Sequence, residues 1–384
     1  MKCKRINRLK VVLVEKRMTN KQMMPKEKKY KRRGRLPKIE VVDLFCGIGG
    51  LSYGMKSKGF IILEGFDLDA TCEYAYKTNN DAKFVYKDIR KVTKDDIVPL
   101  YSKKSIKVLA GCAPCQPFSS YAFKNKNKDA SKYNLLYEFG RLVKEIHPDV
   151  VTMENVPAIA SFKLKSVLAD FVAVLQEEGY YTTYQVVYCP DYGIPQTRKR
   201  LVLLASRLGE IALIPPTHKK ENYITVRDTI SNLPPLEAGE SCPTDALHRC
   251  RALTPLNMQR MMATPYGGSW KDWPKELQLK CHQEESGKSF GSVYGRMRWE
   301  EPAPTMTTLC TGIGNGRFGH PVQNRAISAR EAALFQTFPT CYKFFPNEQE
   351  VSLSKASRYI GNAVPPRLGE IIAESIKQYI RNHK

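Results

Sequence analysis

The chain has 384 residues, 42% of them hydrophobic and 26% charged, enough for one large α/β domain and a smaller one with its own core. No apolar run approaches the 18 or so residues of a membrane span, and Val11-Val12-Leu13-Val14, followed at once by Lys16-Arg17, is too short for a secretory signal. A formal charge of +23 favours a polyanionic partner, usually nucleic acid, and eleven scattered cysteines in a cytosolic chain are expected to be thiols.

From Met1 to Lys38 there are 16 Lys or Arg and two acids, a net of +14, which leaves +9 for the rest. Two compatible readings stand for residues 1–38: a solvated, disordered leader and a nonspecific phosphate-binding arm. A start at Met18, Met23 or Met24 would shorten it. Order is expected from Ile39. The run 39–45 reads as a buried strand entering the glycine turn Gly47-Ile48-Gly49-Gly50 and then a helix. Further strands are expected at 60–66, 106–110, 150–153 and 201–204, with helices at 135–146 and 163–178. This alternation predicts a mostly parallel sheet with helices on both faces. Beyond about residue 210, Pro215-Pro216, Pro234-Pro235, Gly267-Gly268 and the glycines of 312–319 break any long periodicity, which predicts loops and short strands. Helical order resumes at 328–335. In the last helix Leu368, Ile371, Ile372, Ile376, Tyr379 and Ile380 share one face.

The glycine turn lacks the third glycine of a dinucleotide fingerprint, because position 52 is Ser52. A nicotinamide dehydrogenase is therefore disfavoured. Asp67 ends the second strand 20 residues after Gly47, where a carboxylate can accept bonds from ribose hydroxyls. Asp88 follows the next strand and can meet an adenine amino group. An adenosyl ligand without a pyrophosphate fits this set, and the competing reading of either acid is a helix N-cap. Downstream, Cys115 lies between Pro114 and Pro117 in a stiff loop after a strand, as a nucleophilic thiol requires. Cys112 and Cys115 also form a C-x-x-C, so a redox pair is the competing reading. Glu154 ends the strand at 150–153 and is placed to act as an acid. Arg198 and Arg200 project to one side of an extended run and can hold a base carbonyl, a phosphate or a thiolate, although a wet basic surface would look the same.

In order along the chain, Asp43-Leu44-Phe45-Cys46-Gly47-Ile48-Gly49-Gly50, Pro114-Cys115-Gln116, Glu154-Asn155-Val156, Tyr192-Gly193-Ile194-Pro195-Gln196-x-Arg198-x-Arg200, Arg330-Glu331-Ala332-Ala333-Leu334-Phe335-Gln336-Thr337-Phe338-Pro339 and Gly361-Asn362-Ala363-Val364-Pro365 resemble the DNA (cytosine-5) methyltransferases of bacterial restriction-modification type. The resemblance runs from Ile39 to the C-terminus. It implies a Rossmann-like S-adenosylmethionine-dependent methyltransferase domain (39–228 with 355–384) and a smaller, irregular target-recognition domain (229–354). It implies S-adenosylmethionine as cofactor, with no metal, held by Phe45, Gly47, Gly49, Asp67, Leu68, Asp88, Leu135 and Asn362. Cys115 would attack carbon 6 of a flipped cytosine, Glu154 would bond to and protonate ring nitrogen 3, Arg200 would hold the base carbonyl and Arg198 would brace the site. Pro114, Gln116, Ser119, Gln196 and Arg317 are expected to touch the substrate, Arg317 from the glycine-rich 311–320 loop in the major groove.

The expected partner is double-stranded DNA, with a cognate restriction endonuclease acting independently. The protein is expected to be a cytoplasmic, nucleoid-associated prokaryotic monomer. The family commonly has two prolines before the cysteine, whereas here the first is Ala113, so some loop stiffness is expected to be lost. Cys242, His248, Cys250, Cys281 and His282 match no zinc-finger spacing. Two rivals remain: a tRNA cytosine-5 methyltransferase and a DNA-binding regulator with a dead methyltransferase fold.

Overall fold

A computed structural model describes residues 36–114, 134–160, 165–347 and 351–383. The expected catalytic Cys115, with Gln116 and Ser119, lies outside these residues, as does nearly all of the basic leader.

The first strand, β1 (Ile39–Leu44), is buried along its whole length. It passes through the glycine turn into α1 (Gly50–Ser57), and β2 (Ile61–Asp67), α2 (Glu73–Asn80), β3 (Lys83–Tyr86) and the short α3 (Lys94–Ile97) follow. Next come β4 (Ile106–Gly111), α4 (Asn134–Ile146), β5 (Val150–Asn155), α5 (Lys165–Glu177), β6 (Tyr181–Tyr188) and β7 (Lys199–Ser206). The seven strands form one sheet in the order β3-β2-β1-β4-β5-β7-β6. Pairing is parallel from β3 to β5, and β7 runs antiparallel between β5 and β6. Strand order reverses between β1 and β4, the place where open α/β sheets hold ligands beyond their carboxyl ends. The five strands expected from sequence are present, and β6 is an exposed edge whose alternation of Tyr, Thr and Gln gave no clean apolar signal.

The period of two in each strand splits the core into two layers. Val41, Val108, Val150, Val202 and Leu204 face one side, where they meet Leu51, Met55, Tyr76, Leu368, Ile372 and Ile376. Val42, Leu44, Leu109, Val151, Met153 and Leu203 face the other, against Leu136, Phe139, Leu168 and Phe171 of α4 and α5.

The chain beyond the sheet holds α6 (Val226–Ile230), a hairpin of β8 (Ser241–Cys242) and β9 (Asp245–Arg249), α7 (Pro255–Ala263), two short helices α8 (Lys280–Gln283) and α9 (Glu285–Lys288), then α10 (Ala329–Phe335), α11 (Leu353–Asn362) and α12 (Pro366–Asn382). Short elements joined by loops match the expectation for this stretch. The expected boundary at 354 does not coincide with a break in the core. Ala329, Ala332, Ala333, Phe335 and Phe338 belong to the same apolar cluster as Ile48 and Leu51, and Tyr342 donates a hydrogen bond to the Ile48 carbonyl. The same cluster takes in Leu247, Met297, Ala303, Met306 and Phe318, so it runs through the 229–354 stretch before α10 as well. Among the described residues no helix is long and apolar enough to cross a membrane.

Candidate active site

A cavity of about 840 Å³ opens at the carboxyl ends of β1, β2, β4 and β5. Phe45, Gly47, Asp67, Leu68, Pro114, Glu154, Arg198, Arg200 and Asn362, all singled out in the sequence, line it.

At the β1 end the turn needs unusual backbone. Phe45 has φ 58°, Gly47 φ 51° and Gly49 φ 88°. A Cβ on Gly47 would meet nothing within 4 Å, so that backbone lies open to a ligand, whereas one on Gly49 would lie 2.2 Å from Asn80 Nδ2. Gly49 is thus a packing glycine and does not line the cavity. Asp67 closes the turn: its Oδ2 accepts from Gly47 N at 2.8 Å and its Oδ1 from Asp69 N at 2.8 Å. Burial raises its pKa, and these two backbone bonds oppose the rise. Each carboxylate oxygen keeps a further lone pair for a hydroxyl. Leu68 is 51% exposed beside it, an apolar surface at the cavity wall.

Two further residues expected at this end are placed elsewhere. Asp88 caps a 3-10 turn through Arg90 N at 3.0 Å and pairs with the Arg90 side chain at 2.5 Å, so the N-cap reading describes its observed partners. Leu135 packs against the α4–α5 layer. Neither lines the cavity.

Sequence reasoning left Asp43 and Ser52 without a role. Ser52 Oγ donates to Asp43 Oδ2 at 2.6 Å inside the core and lies 3.2 Å from Tyr76 Oη. The serine that breaks the dinucleotide fingerprint is therefore the partner of a buried carboxyl. That departure was the available signal.

At the β5 end Glu154 is buried, and Arg200 Nε lies 2.7 Å from its Oε1. The N–H is not aligned on that oxygen, which accepts no hydrogen bond, so the contact is one of charge. A carboxyl oxygen and a guanidinium thus stand side by side at the cavity wall with hydrogen-bonding capacity to spare. Arg200 Nη1 donates to the Lys199 carbonyl at 2.8 Å, which fixes the guanidinium.

Arg198 is 2% exposed. Its Nη1 donates to the Met306 carbonyl at 3.0 Å and its Nη2 to those of Gly361 and Ala363, both at 3.4 Å. Burial, with the neighbouring Arg200 charge, lowers its pKa to about 9, so it remains a cation at neutral pH. Two segments more than a hundred residues downstream, at Met306 and at Gly361 and Ala363, are thus tied to the start of β7 by this side chain.

The loop leading to Cys115 is anchored at its start. Ala113, where the family commonly has a proline, is buried, and its carbonyl accepts from Asn155 Nδ2 at 3.3 Å. Packing and this bond supply stiffness that a proline ring would otherwise give. The Cys112 thiol lines the cavity, and burial, reinforced by the Glu154 charge, pushes its pKa well up, which disfavours the thiolate a redox pair needs.

Gln196 and Arg317, expected to touch substrate, do not line this cavity. Gln196 is fully buried: its amide donates to the Phe335 carbonyl at 2.9 Å and to Gln336, and accepts from Met306 N at 3.0 Å. Arg317 Nη1 donates to the carbonyls of Gly267, Gly268 and Arg296. Both hold loops of the smaller region in place. His248 bonds to Ser328 Oγ and the Pro234 carbonyl, and Cys250 Sγ to the Glu237 carbonyl, so these side chains have protein partners.

Comparison with known proteins agrees with this geometry. Residues 39–378 match the C-5 cytosine-specific DNA methylase family. The chain is 50% identical over 340 residues to the Type II methylase M.HgiDII of Herpetosiphon aurantiacus, covering 88% of this chain and 95% of that protein. It is 30% identical over 380 residues to the Type II methyltransferase M.DdeI of Desulfomicrobium norvegicum, covering 90% of each. A solved structure of a prophage-encoded Escherichia coli protein, assigned as a DNA modification methyltransferase, shares the fold with a TM-score of 0.69 at 22% identity, over 90% of this chain and all of that one. A sheet that gathers the glycine turn, Asp67, Glu154 and Arg200 around one cavity, in a chain matched over nearly its whole described length, places this protein in the C-5 cytosine-specific DNA methylase family.

Proposed function

We propose that the enzyme methylates carbon 5 of a flipped cytosine within a specific duplex DNA sequence, with S-adenosylmethionine as donor and Cys115 as covalent nucleophile. One observation carries this: a single cavity has an adenosyl-suited wall, built from Gly47, Asp67 and the exposed Leu68, and a base-suited wall, built from Glu154 and Arg200.

Gly47 leaves room for a ligand against the backbone, Asp67 has lone pairs for ribose hydroxyls, and Asn362 reaches the same space from the end of α11. These residues fit the donor's nucleoside and amino-acid parts. When bound, S-adenosylmethionine supplies an electrophilic methyl group. The protein's own residues make the base reactive. Carbon 5 of cytosine is a poor nucleophile until a thiolate adds at carbon 6 and pushes an electron pair into the ring. Cys115 would form that bond. Glu154 would hold a proton at ring nitrogen 3, so that the ring takes up the electron pair, and Arg200 would hold the base carbonyl. After carbon 5 is alkylated it gives its proton to a base, the electron pair of that bond restores the ring double bond, the carbon–sulfur bond breaks, and Cys115 leaves as the thiolate. The base must leave the helix to reach Glu154, which is buried at the end of β5.

Likeness to two Type II methylases supports a modification enzyme that works beside an independent restriction endonuclease on double-stranded DNA. Incubation with tritiated S-adenosylmethionine should label position 5 of cytosine in duplex DNA and leave tRNA unlabelled. Bisulfite sequencing of DNA from an expressing host would give the target sequence. Cys115→Ser should abolish turnover and leave binding of S-adenosylhomocysteine within about twofold. Full activity in that variant, or label in tRNA alone, would overturn the reading.

A further inference from the structure

The loop that carries Asp67 and Leu68 is fastened from a distant part of the chain. Arg358, on α11, places Nη1 2.9 Å from Asp69 Oδ2, and its Nη2 donates to Thr71 Oγ1 at 3.0 Å. Thr71 in turn donates its hydroxyl and its backbone N–H to Asp69 Oδ1. One residue along, Tyr359 Oη donates to the Thr71 carbonyl at 2.9 Å, and the Arg358 guanidinium lies over the Tyr359 ring at 5.3 Å. The bonds continue inward, from Asp69 N to Asp67 and from Gly47 N to the same carboxylate. Asp69, Arg358 and Tyr359 all line the cavity.

We propose that Arg358 is a positioning residue for the methyl donor, a clasp that holds the 67–71 loop closed around the nucleoside. The inference rests on the cavity being the donor site. A planar guanidinium meets the carboxylate with one nitrogen and the hydroxyl with another in a fixed fork, whereas a lysine would have to reach both from one nitrogen on a flexible stem. Without it, Asp69 and Thr71 keep their local turn, and among the described residues the Tyr359 bond to the Thr71 carbonyl is left to tie the loop to α11. The loop must then be ordered by the ligand, at the ligand's expense in affinity. The pair is partly exposed, with side chains 44% and 33% accessible, so its loss bears on the loop far more than on global folding. Salt screens such a pair, so the clasp should weaken with ionic strength.

The test is calorimetric titration of the full-length protein with S-adenosylhomocysteine, with no DNA present. Arg358→Ala should bind about tenfold more weakly than the parent, with an unchanged melting temperature and faster hydrogen exchange at the amides of Leu68 to Thr71. Arg358→Lys should recover part of the loss. The parent's affinity should fall with added salt, and that of Arg358→Ala should change less. In methylation assays the variant should raise KM for S-adenosylmethionine and leave kcat within about twofold. Parent binding with an unchanged Kd in Arg358→Ala would overturn the clasp alone. No binding by the folded parent would overturn the assignment of the cavity itself.

Discussion

Removing a charge at Asp43 should strengthen the fold, by an amount set by pH. The side chain is 1% exposed at the end of β1. One oxygen accepts from Ser52 at 2.6 Å, and the other, Oδ1, accepts no hydrogen bond. Burial, with the Asp67 charge adding and the Ser52 bond opposing, raises the pKa from 3.8 to about 7. The unfolded chain therefore releases this proton several pH units before the folded chain does. Stability tied to the group is fully present below pH 3.8, is lost as pH rises towards 7, and is constant above. The cost is roughly 2 kcal/mol at pH 5 and roughly 4 kcal/mol at pH 8. Asp43→Asn removes the ionisation and keeps an acceptor for the Ser52 hydroxyl. Any fixed cost of burying the amide is the same at both pH values and cancels in the difference. In urea denaturation the stability of the variant relative to the parent should therefore rise by about 2–3 kcal/mol from pH 5 to pH 8. With an m-value of about 3 kcal/mol/M that is a relative midpoint shift of about 1 M. A difference that does not change with pH would refute the reasoning.

Two more substitutions probe the frame around the cavity. A Cβ on Gly361 would lie 2.3 Å from the Thr307 carbonyl carbon and from Thr308 N, both backbone atoms that cannot swing aside. Gly361→Ala should therefore cost about 1–3 kcal/mol and displace Thr308 from the cavity wall, read as a lower melting temperature and weaker S-adenosylhomocysteine binding. Glu331 makes a buried two-bond pair with Arg325, at 2.8 Å twice, and also accepts from Ser328 N at 2.7 Å. Glu331→Gln leaves the Arg325 charge buried without its counterion and should cost about 3–5 kcal/mol by urea unfolding. The double replacement Glu331→Leu with Arg325→Met should cost less than the single one, and equal costs would contradict this account.

The sheet was legible because its strands are short apolar runs ended by glycine or acid, and the helices because apolar positions recur every three or four residues. The edge strand β6 was not legible: Tyr184, Gln185 and Val186 are all exposed, so neither face of that stretch carries an apolar pattern. Asp67, Glu154 and Arg200 stood out as strand-end acids and a cation, but Asp67 and Arg200 singly also fit an N-cap and a wet surface, and it was the ordered combination that pointed to a site. Asp88 was read from its place after a strand and Leu135 from a family pattern, and neither says where a side chain ends up. Gln196 and the Nη1 of Arg317 donate to acceptors that only the folded chain brings near, which their place in the sequence could not show. Arg358 could not have been found, because its partners Asp69 and Thr71 lie 287 or more residues away.

The convergence of Met306, Gly361 and Ala363 on Arg198 also bears on how the enzyme comes into being during synthesis. Phe45, Glu154 and Arg200 leave the ribosome early, but the walls they face include Thr308, Arg358, Tyr359 and Gly361 to Val364. The cavity therefore cannot close until synthesis has passed Val364, well after Arg200 has emerged. A chain cut short before α11 carries Glu154 and Arg200 without the α11 wall they face, so an interrupted message should yield a protein with an incomplete cavity.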